Sequence, residues 1–201
     1  MTICLPGGWR IACFFRKDNL MKVTITLNRG CNLNCSWCYA SKTGFKKELD
    51  MEEDVFKKIL SFCEEAKAKS VCLIGGEPTI YPKIHDVIRA LKEKSMYFSI
   101  VSNGLIFKSV EEVKRFKDSG LEHIPISVKP YDKETYNAVT GKDSFDDVMT
   151  ALRNLVENGI DVAASYVLSK ESIVGIKEMV EKVKSGVQLN FECDFDIIFR
   201  L

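Results

Sequence analysis

The sequence predicts an α/β fold with a parallel sheet, and three observations support this. Six apolar, β-branched stretches alternate with five stretches of helical periodicity, and the connections between them are short. Strand–helix–strand units of this kind are right-handed and bring successive strands together in parallel. The glycine-rich and polar motifs directly follow strands, at the sheet edge where such folds bind ligands. Six strands leave open a doubly wound sheet or a curved, barrel-like one, and are too few to close an eight-stranded barrel.

The predicted elements follow one another in the order expected of repeated strand–helix units. A short hairpin within residues 2–15 precedes the first main strand, and residues 1–21 are predicted to form an N-terminal extension of a core domain, 22–201. The strands are predicted at residues 22–27, 70–74, 97–101, 123–128, 160–168 and 188–199. The helices are predicted at residues 51–67, from 82 onwards, at 110–117, at 133–158 with a break near 140–141, and across 173–183. Asp50 is expected to cap the first helix, and Gly120 to end the third.

The composition excludes several classes of protein. Twenty-nine Lys and Arg residues against 28 Asp and Glu residues give a net charge of +1, so no strong field favours nucleic acid. No apolar run approaches the roughly 20 residues that span a bilayer, so no membrane is expected. The start of the chain lacks the pattern of a signal peptide, and eight cysteines without an export signal favour a reducing compartment. We therefore expect a cytoplasmic protein.

Three of the eight cysteines fall within one loop after the first main strand. Cys31, Cys35 and Cys38 have the spacing C-x-x-x-C-x-x-C, and cysteines this close rarely pair in unstrained disulfides. Their thiolates are better suited to a soft metal centre. A structural zinc site and an electron-transfer cluster both usually take four protein ligands, so three cysteines predict a metal site with one open position. The alternative is a zinc knuckle whose fourth ligand is distant in sequence; the remaining cysteines are expected to be buried thiols.

Motifs at the ends of the next strands are predicted to meet the cysteine loop. Gly75 and Gly76 follow the second main strand and allow a ligand to approach the backbone closely. Glu77 then adds a carboxylate suited to an ammonium group. Polar residues also follow the third and fourth strands, at Ser102-Asn103 and Ser127. Convergence of four loops at one edge predicts a single ligand site.

Two of these motifs together resemble a known family. The cysteine loop, with the aromatic Trp37 before its last cysteine, and Gly75–Pro78 one strand later resemble the radical S-adenosylmethionine (radical SAM) superfamily. The resemblance runs from Lys22 to Leu201 in the family's order of elements. It implies a partial (βα)6 TIM-like barrel with a curved parallel sheet, here truncated after the sixth strand and preceded by the short hairpin.

The resemblance also implies cofactors and site residues. Cys31, Cys35 and Cys38 would each bind one iron of a 4Fe-4S cluster, and the fourth iron would bind the amino and carboxylate groups of SAM. The implied SAM contacts are Trp37 at the adenine, Gly75, Gly76 and Glu77 at the methionyl amino group, and Ser102, Asn103 and Ser127 at the ribose or carboxylate. A reduced cluster would cleave SAM to methionine and a 5′-deoxyadenosyl radical, which abstracts hydrogen from the substrate.

The substrate itself is not predicted beyond its class. Residues 127–132 and the break at Thr140-Gly141 resemble the branch of molybdenum-cofactor synthesis and peptide-modifying maturases, so the substrate would be a peptide or a small metabolite. The expected partner is a one-electron donor such as a flavodoxin or ferredoxin. The rival hypothesis is a non-catalytic iron–sulfur or SAM-binding module from a truncated barrel. The three cysteines and Glu77 favour the enzyme, while a missing last helix would favour the module.

Overall fold

The structure, a computed structural model, describes residues 2–5, 9–15, 21–36, 38, 50–128, 132–168 and 198–199, with side chains at 21–36, 38, 50–127 and 132–163. The chain divides into two compact units. The first contains residues 1–32 and 42–101, and the second contains residues 33–41 and 102–201. The boundary between them falls inside the cysteine motif, after Asn32.

The first unit is built on a five-stranded sheet in the order β1-β2-β3-β4-β5. Its strands are β1 (Thr2–Leu5), β2 (Trp9–Phe15), β3 (Met21–Thr26), β4 (Ser70–Ile74) and β5 (Tyr97–Ile100). The first three strands pair antiparallel, while β3 with β4 and β4 with β5 pair parallel. Helices α1 (Glu53–Glu65) and α2 (Ile84–Glu93) connect the parallel strands, with a 3-10 turn at Pro78–Ile80. The predicted hairpin is therefore present, and it extends this sheet through β2.

The second unit contains a three-stranded parallel sheet in the order β6-β7-β8. Its strands are β6 (His123–Val128), β7 (Asp161–Leu168) and β8 (Ile198–Phe199). Its helices are α3 (Val110–Ser119), α4 (Lys133–Thr140) and α5 (Phe145–Glu157), and a 3-10 turn covers Leu105–Lys108. The helix predicted at 173–183 and residues 188–197 of the predicted sixth strand lie outside the described residues.

Buried side chains recur along the helices at the spacing of one face. In α2, Ile84, Val87, Ile88 and Leu91 are all buried, which is the i, i+3, i+4, i+7 pattern of an amphipathic helix. In α5 the same spacing buries four further residues, Val148, Ala151, Leu152 and Leu155. Burial of these faces stabilises the helices against the sheets. Among the described residues, no helix is long and apolar enough to cross a membrane.

The predicted capping residues have different outcomes. Gly120 ends α3 in the left-handed conformation, as predicted, with φ of 111°. The prediction for Asp50 is wrong, because α1 begins after Glu52, which makes no side-chain cap. Asp50 instead forms an antiparallel bridge with Asn28, and the amide of Met51 donates to the carbonyl of Leu27 at 2.8 Å. Pairing with the residues that follow β3 keeps this segment extended and delays the start of the helix.

Candidate functional site

The three motif cysteines are available as thiols. Cys31, Cys35 and Cys38 are each partly exposed, and none is in a disulfide. Cys31 belongs to the first unit, and Cys35 and Cys38 belong to the second. Within the part of the chain that the structure describes, no three His, Cys, Asp or Glu side chains are grouped so as to hold a metal ion. Trp37, the predicted adenine contact, lies outside the described residues.

In the first unit, backbone hydrogen bonds join the start of the cysteine motif to the glycine motif. The amide of Gly76 donates to the carbonyl of Asn28 at 3.0 Å, and the amide of Glu77 donates to the carbonyl of Gly30 at 2.8 Å. The side-chain amide of Asn28 closes the connection by donating to the carbonyl of Glu77 at 2.8 Å. Asn28 is 1% exposed, so these bonds are shielded from water. The residues before Cys31 are thereby held in register with Gly75–Glu77.

Both glycines of this motif are required by the closeness of the two segments. A Cβ on Gly75 would lie 2.1 Å from Oδ1 of Asn28, and one on Gly76 would lie 2.2 Å from the carbonyl oxygen of Gly30. Neither glycine has the positive φ that would itself require glycine. The sequence suggested that these glycines admit a ligand. In this structure, the close approach that they permit is made by the chain itself.

Glu77 holds a buried carboxylate just beyond β4. Its exposure is 1%, and Oε1 accepts hydrogen bonds from the hydroxyl of Thr79 at 2.6 Å and from its amide at 3.2 Å. These bonds cap the 3-10 turn at Pro78–Ile80 and fix the orientation of the carboxylate. A buried, oriented carboxylate is chemically suited to an ammonium group such as that of a methionyl amine. The acceptor at this position therefore fits the amino group of SAM.

In the second unit, backbone pairing brings together the three remaining residues predicted to contact SAM, which are Ser102, Asn103 and Ser127. Ser102 forms a parallel bridge with Ile126, and the amide of Ser127 donates to the carbonyl of Ser102 at 2.7 Å. The hydroxyl of Ser102 accepts from the amide of Gly104 at 2.9 Å, and Oδ1 of Asn103 accepts from the amide of Leu105 at 3.0 Å. Both side chains thus support the turn that follows β5, and both are buried.

The part of the cysteine loop in the second unit rests on the end of α4. The amide of Asn34 donates to the carbonyl of Thr140, and that of Ser36 to the carbonyl of Val139, both at 2.9 Å. One turn earlier on α4, Tyr136 is fully buried and packs edge-to-face on Phe145 at 5.6 Å between ring centroids. Burial raises the pKa of the Tyr136 phenol. The loop is therefore bonded to a helix whose own side chains are packed in the core of the second unit.

Three thiols in one loop provide the ligands that iron–sulfur clusters use, so the donor set fits a 4Fe-4S cluster.

The structure adds two residues to the site that the sequence did not single out. Asn28 and Thr79 were missed, and they act on the glycine motif through hydrogen bonds. The position of Thr79, two residues after a glutamate and beside a proline, is typical of a local cap and could have been recognised. Asn28 has no such local signal.

In a comparison with known proteins, a family model matches most of this chain. The sequence model of the Radical SAM superfamily matches residues 25–183. A probable GTP 3′,8-cyclase of Pyrococcus abyssi (strain GE5 / Orsay) is 30% identical over 169 residues, covering 82% of this chain and 54% of that protein. The Fe-coproporphyrin III synthase of Methanosarcina barkeri (strain Fusaro / DSM 804) is 28% identical over 160 residues, covering 79% of this chain and 40% of that protein. The chain spans about half, or less, of these curated relatives.

Solved structures agree in fold. The crystal structure of Streptococcus suis SuiB bound to S-adenosylmethionine matches with a TM-score of 0.65 and 21% identity, over 84% of this chain and 40% of that one. SuiB bound to its precursor peptide SuiA matches with the same TM-score and 20% identity, over 80% of this chain and 36% of that one. At these identities the likeness concerns the fold, a mixed α/β architecture with parallel sheets.

Proposed function

Since this chain belongs to the radical SAM superfamily, whose cofactors are a 4Fe-4S cluster and SAM, we propose that it is a radical SAM enzyme. Cys31, Cys35 and Cys38 hold three irons of the cluster. Gly75 and Gly76, through their backbone, and Glu77, through its carboxylate, receive the methionyl amino group of SAM, and Trp37 contacts its adenine. Ser102, Asn103 and Ser127 line the ribose or carboxylate of SAM.

One observation carries the proposal: the hydrogen bonds that join Asn28 and Gly30 to Gly76 and Glu77. A cysteine loop and a carboxylate that serve one cofactor must be held at a fixed separation, and independent loops would not provide this. The bonds tie the residues before Cys31 to the backbone that carries Glu77. This arrangement favours a joint cluster and SAM site over a zinc knuckle, which would not need the carboxylate.

The chain's own residues bind and orient the reactants. When bound, the reduced cluster and SAM supply a radical that removes hydrogen from a substrate. Three cysteine thiolates would leave one iron of a 4Fe-4S cluster without a protein ligand, and Glu77 would receive and orient the amino group of SAM. Thr79 keeps the carboxylate of Glu77 in place through its hydroxyl. Burial around Glu77 excludes water and strengthens its attraction for an ammonium group.

The finer fold belongs to the same proposal. The parallel order β3-β4-β5 and β6-β7-β8, with a helix in each connection between consecutive parallel strands from β3 to β5, supports a partial (βα)6 barrel. Residues 1–21 are an N-terminal extension and 22–201 the radical SAM core. The start of the family match at residue 25 supports this division.

The substrate is a peptide or a small metabolite, and the electron comes from a flavodoxin or ferredoxin. The relatives include a probable GTP 3′,8-cyclase, and the structural neighbour SuiB has been crystallised with a precursor peptide, so both substrate classes occur among similar proteins. The net charge favours neither of these substrate classes, because the chain is nearly neutral.

Two variants test the proposal after anaerobic reconstitution with iron and sulfide. Cys35→Ala removes an iron ligand and should abolish retention of the cluster, measured as iron per chain and the brown absorption. Glu77→Gln keeps the shape but removes the charge, and should weaken SAM binding about tenfold with the iron content unchanged. Wild-type protein reduced with dithionite should form 5′-deoxyadenosine.

The matched control is Cys63→Ala, which removes a fully buried thiol from α1. This variant should keep its iron, even if its stability falls. Equal iron content in Cys35→Ala and wild type would refute the ligand assignment. A fully loaded wild-type chain that binds SAM but makes no 5′-deoxyadenosine would instead support the non-catalytic module.

A further inference from the structure

The loop that carries Cys35 has a backbone attachment on each side of that residue. The amides of Asn34 and Ser36 donate to the carbonyls of Thr140 and Val139 at the end of α4. The amide of Cys38 then donates to the carbonyl of Cys35 at 3.0 Å, which folds the chain back toward the last cysteine. The position of Cys35 is therefore set by α4 rather than by the loop alone.

The end of a helix is a natural support for such a loop. The last four carbonyls of an α-helix have no partner within the helix and must find donors elsewhere. In α4 two of those carbonyls take the loop amides, so the loop and the helix end satisfy each other. Without this attachment, both the helix carbonyls and the loop amides would depend on water for hydrogen bonds. The loop is therefore held at this end of the helix.

Helix α4 is itself held at both ends and along its buried face. The side chain of Asp132 caps its start by accepting from the amide of Thr135 at 2.7 Å. Tyr136 is fully buried against Phe145. Oδ1 of Asn137 accepts from the amide of Ser144 at 3.0 Å, at the start of α5. The helix can thus act as a rigid platform for the loop.

Gly141 stands at the point where the loop meets the helix. It ends α4 in the left-handed conformation, with φ of 66°. A Cβ at this position would lie 3.2 Å from the carbonyl oxygen of Asn34 and 3.3 Å from its Cβ. Any side chain here would press on the backbone next to Cys35. The glycine therefore serves both the helix end and the cysteine loop.

We propose that Gly141 is a positioning residue for the iron–sulfur cluster, acting by letting the loop of Cys35 and Cys38 sit directly on the end of α4. This inference rests on the proposed function, because it takes the two cysteines as cluster ligands. A side chain at position 141 displaces the loop and moves two of the three ligands away from their geometry. The cluster is then held less firmly, although the chain still folds.

The chain contains a matched control in Gly159, just beyond α5. Gly159 also has a left-handed φ, 72°, so replacing it incurs the same backbone penalty. A Cβ there would meet only the flexible end of Lys117, at 3.5 Å. The variants Gly141→Ala and Gly159→Ala thus share the conformational cost and differ in the pressure on the cysteine loop.

The experiment compares the two variants after anaerobic reconstitution of the full chain. Thermal unfolding of the unloaded proteins should give similar losses for both. The rate of iron loss to a chelator should rise about tenfold in Gly141→Ala alone, in line with the usual effect of disturbing the support of a metal ligand. The electron paramagnetic resonance spectrum of the reduced cluster should change in the same variant only.

Equal rates of iron loss in the two variants would overturn the inference while leaving the proposed function intact. A wild-type chain that takes up no iron would refute the proposed function, and the inference with it. If an alanine variant does not fold, the pair Gly141→Asn and Gly159→Asn makes the same comparison, because asparagine tolerates the left-handed conformation better. Faster iron loss confined to Gly141→Asn would support the inference.

Discussion

The two ends of the cysteine motif are held in different ways. Near Cys31, the chain is bonded backbone to backbone with Gly75–Glu77, and a Cβ on either glycine would meet neighbouring atoms within 2.1–2.2 Å. Near Cys35, the chain is bonded to the end of α4, and a Cβ on Gly141 would lie 3.2 Å from the carbonyl oxygen of Asn34. The first attachment leaves no space for a side chain, whereas at the second a side chain would fit only if the loop moved slightly.

This difference shows that glycine can be required for two separate reasons. Gly75 and Gly76 do not have a positive φ, so their requirement is purely steric. Gly141 has a left-handed backbone, and a side chain there would also press on Asn34, though less severely than at Gly75 or Gly76. Substitution near Cys31 should therefore damage the fold, while substitution near Cys35 should mainly alter the site.

The largest effect is expected for Gly76→Ala. Its Cβ would lie 2.2 Å from the carbonyl oxygen of Gly30 and 2.5 Å from that of Arg29, and backbone atoms cannot move aside as a side chain can. Relieving the clash requires breaking the hydrogen bonds between the two segments, and we expect a loss of about 3 kcal/mol or more in the free energy of unfolding. Urea denaturation of the unloaded protein measures it.

Gly159→Ala is the comparison for this variant as well. It should cost about 1 kcal/mol, since only the left-handed backbone is penalised. If Gly76→Ala were no less stable than Gly159→Ala, the two segments would have to be looser than the structure shows. The contrast between a steric and a conformational requirement would then be lost.

Local patterns in the sequence were sufficient to predict most of the strands and helices that the structure describes. The strands at Ser70–Ile74 and His123–Val128 have the predicted bounds, because apolar runs bordered by polar or glycine residues define them locally. The break at Thr140-Gly141 was predicted for the same reason, and it separates α4 from α5. The cysteine loop and the Gly75–Pro78 motif together were specific enough to identify the superfamily that the sequence comparison then confirmed.

Long-range hydrogen bonds explain what the sequence did not reveal. Asn28 contacts Glu77 across 49 residues, and neither position carries a local signal for that contact. Asp50 has the residue type of a helix cap but pairs with Asn28, so tertiary structure overrides a local preference. The support of Cys35 by α4 depends on backbone groups alone, which any residue possesses.

A smaller effect is expected for Asn28→Ala, which tests the attachment near Cys31. Asn28→Ala removes one buried hydrogen bond to the carbonyl of Glu77, which still accepts from the amide of Ile80 at 3.3 Å. Because a partner remains, we expect only about 1 kcal/mol of lost stability. The backbone that carries Glu77 loses its side-chain brace, so SAM should bind about fivefold more weakly to the loaded protein.

Asn154→Ala provides the control, because its effects should be reversed. Asn154 is also a buried amide, and it donates to the carbonyls of Phe107 and Lys108 at 3.0 and 2.9 Å in the second unit. Losing two bonds should cost more stability than Asn28→Ala, about 2 kcal/mol, yet leave SAM affinity unchanged. Equilibrium dialysis with SAM, paired with urea denaturation, measures both quantities. If SAM affinity followed stability across the two variants, Asn28 would be merely a structural residue, and its link to Glu77 would have no part in the site.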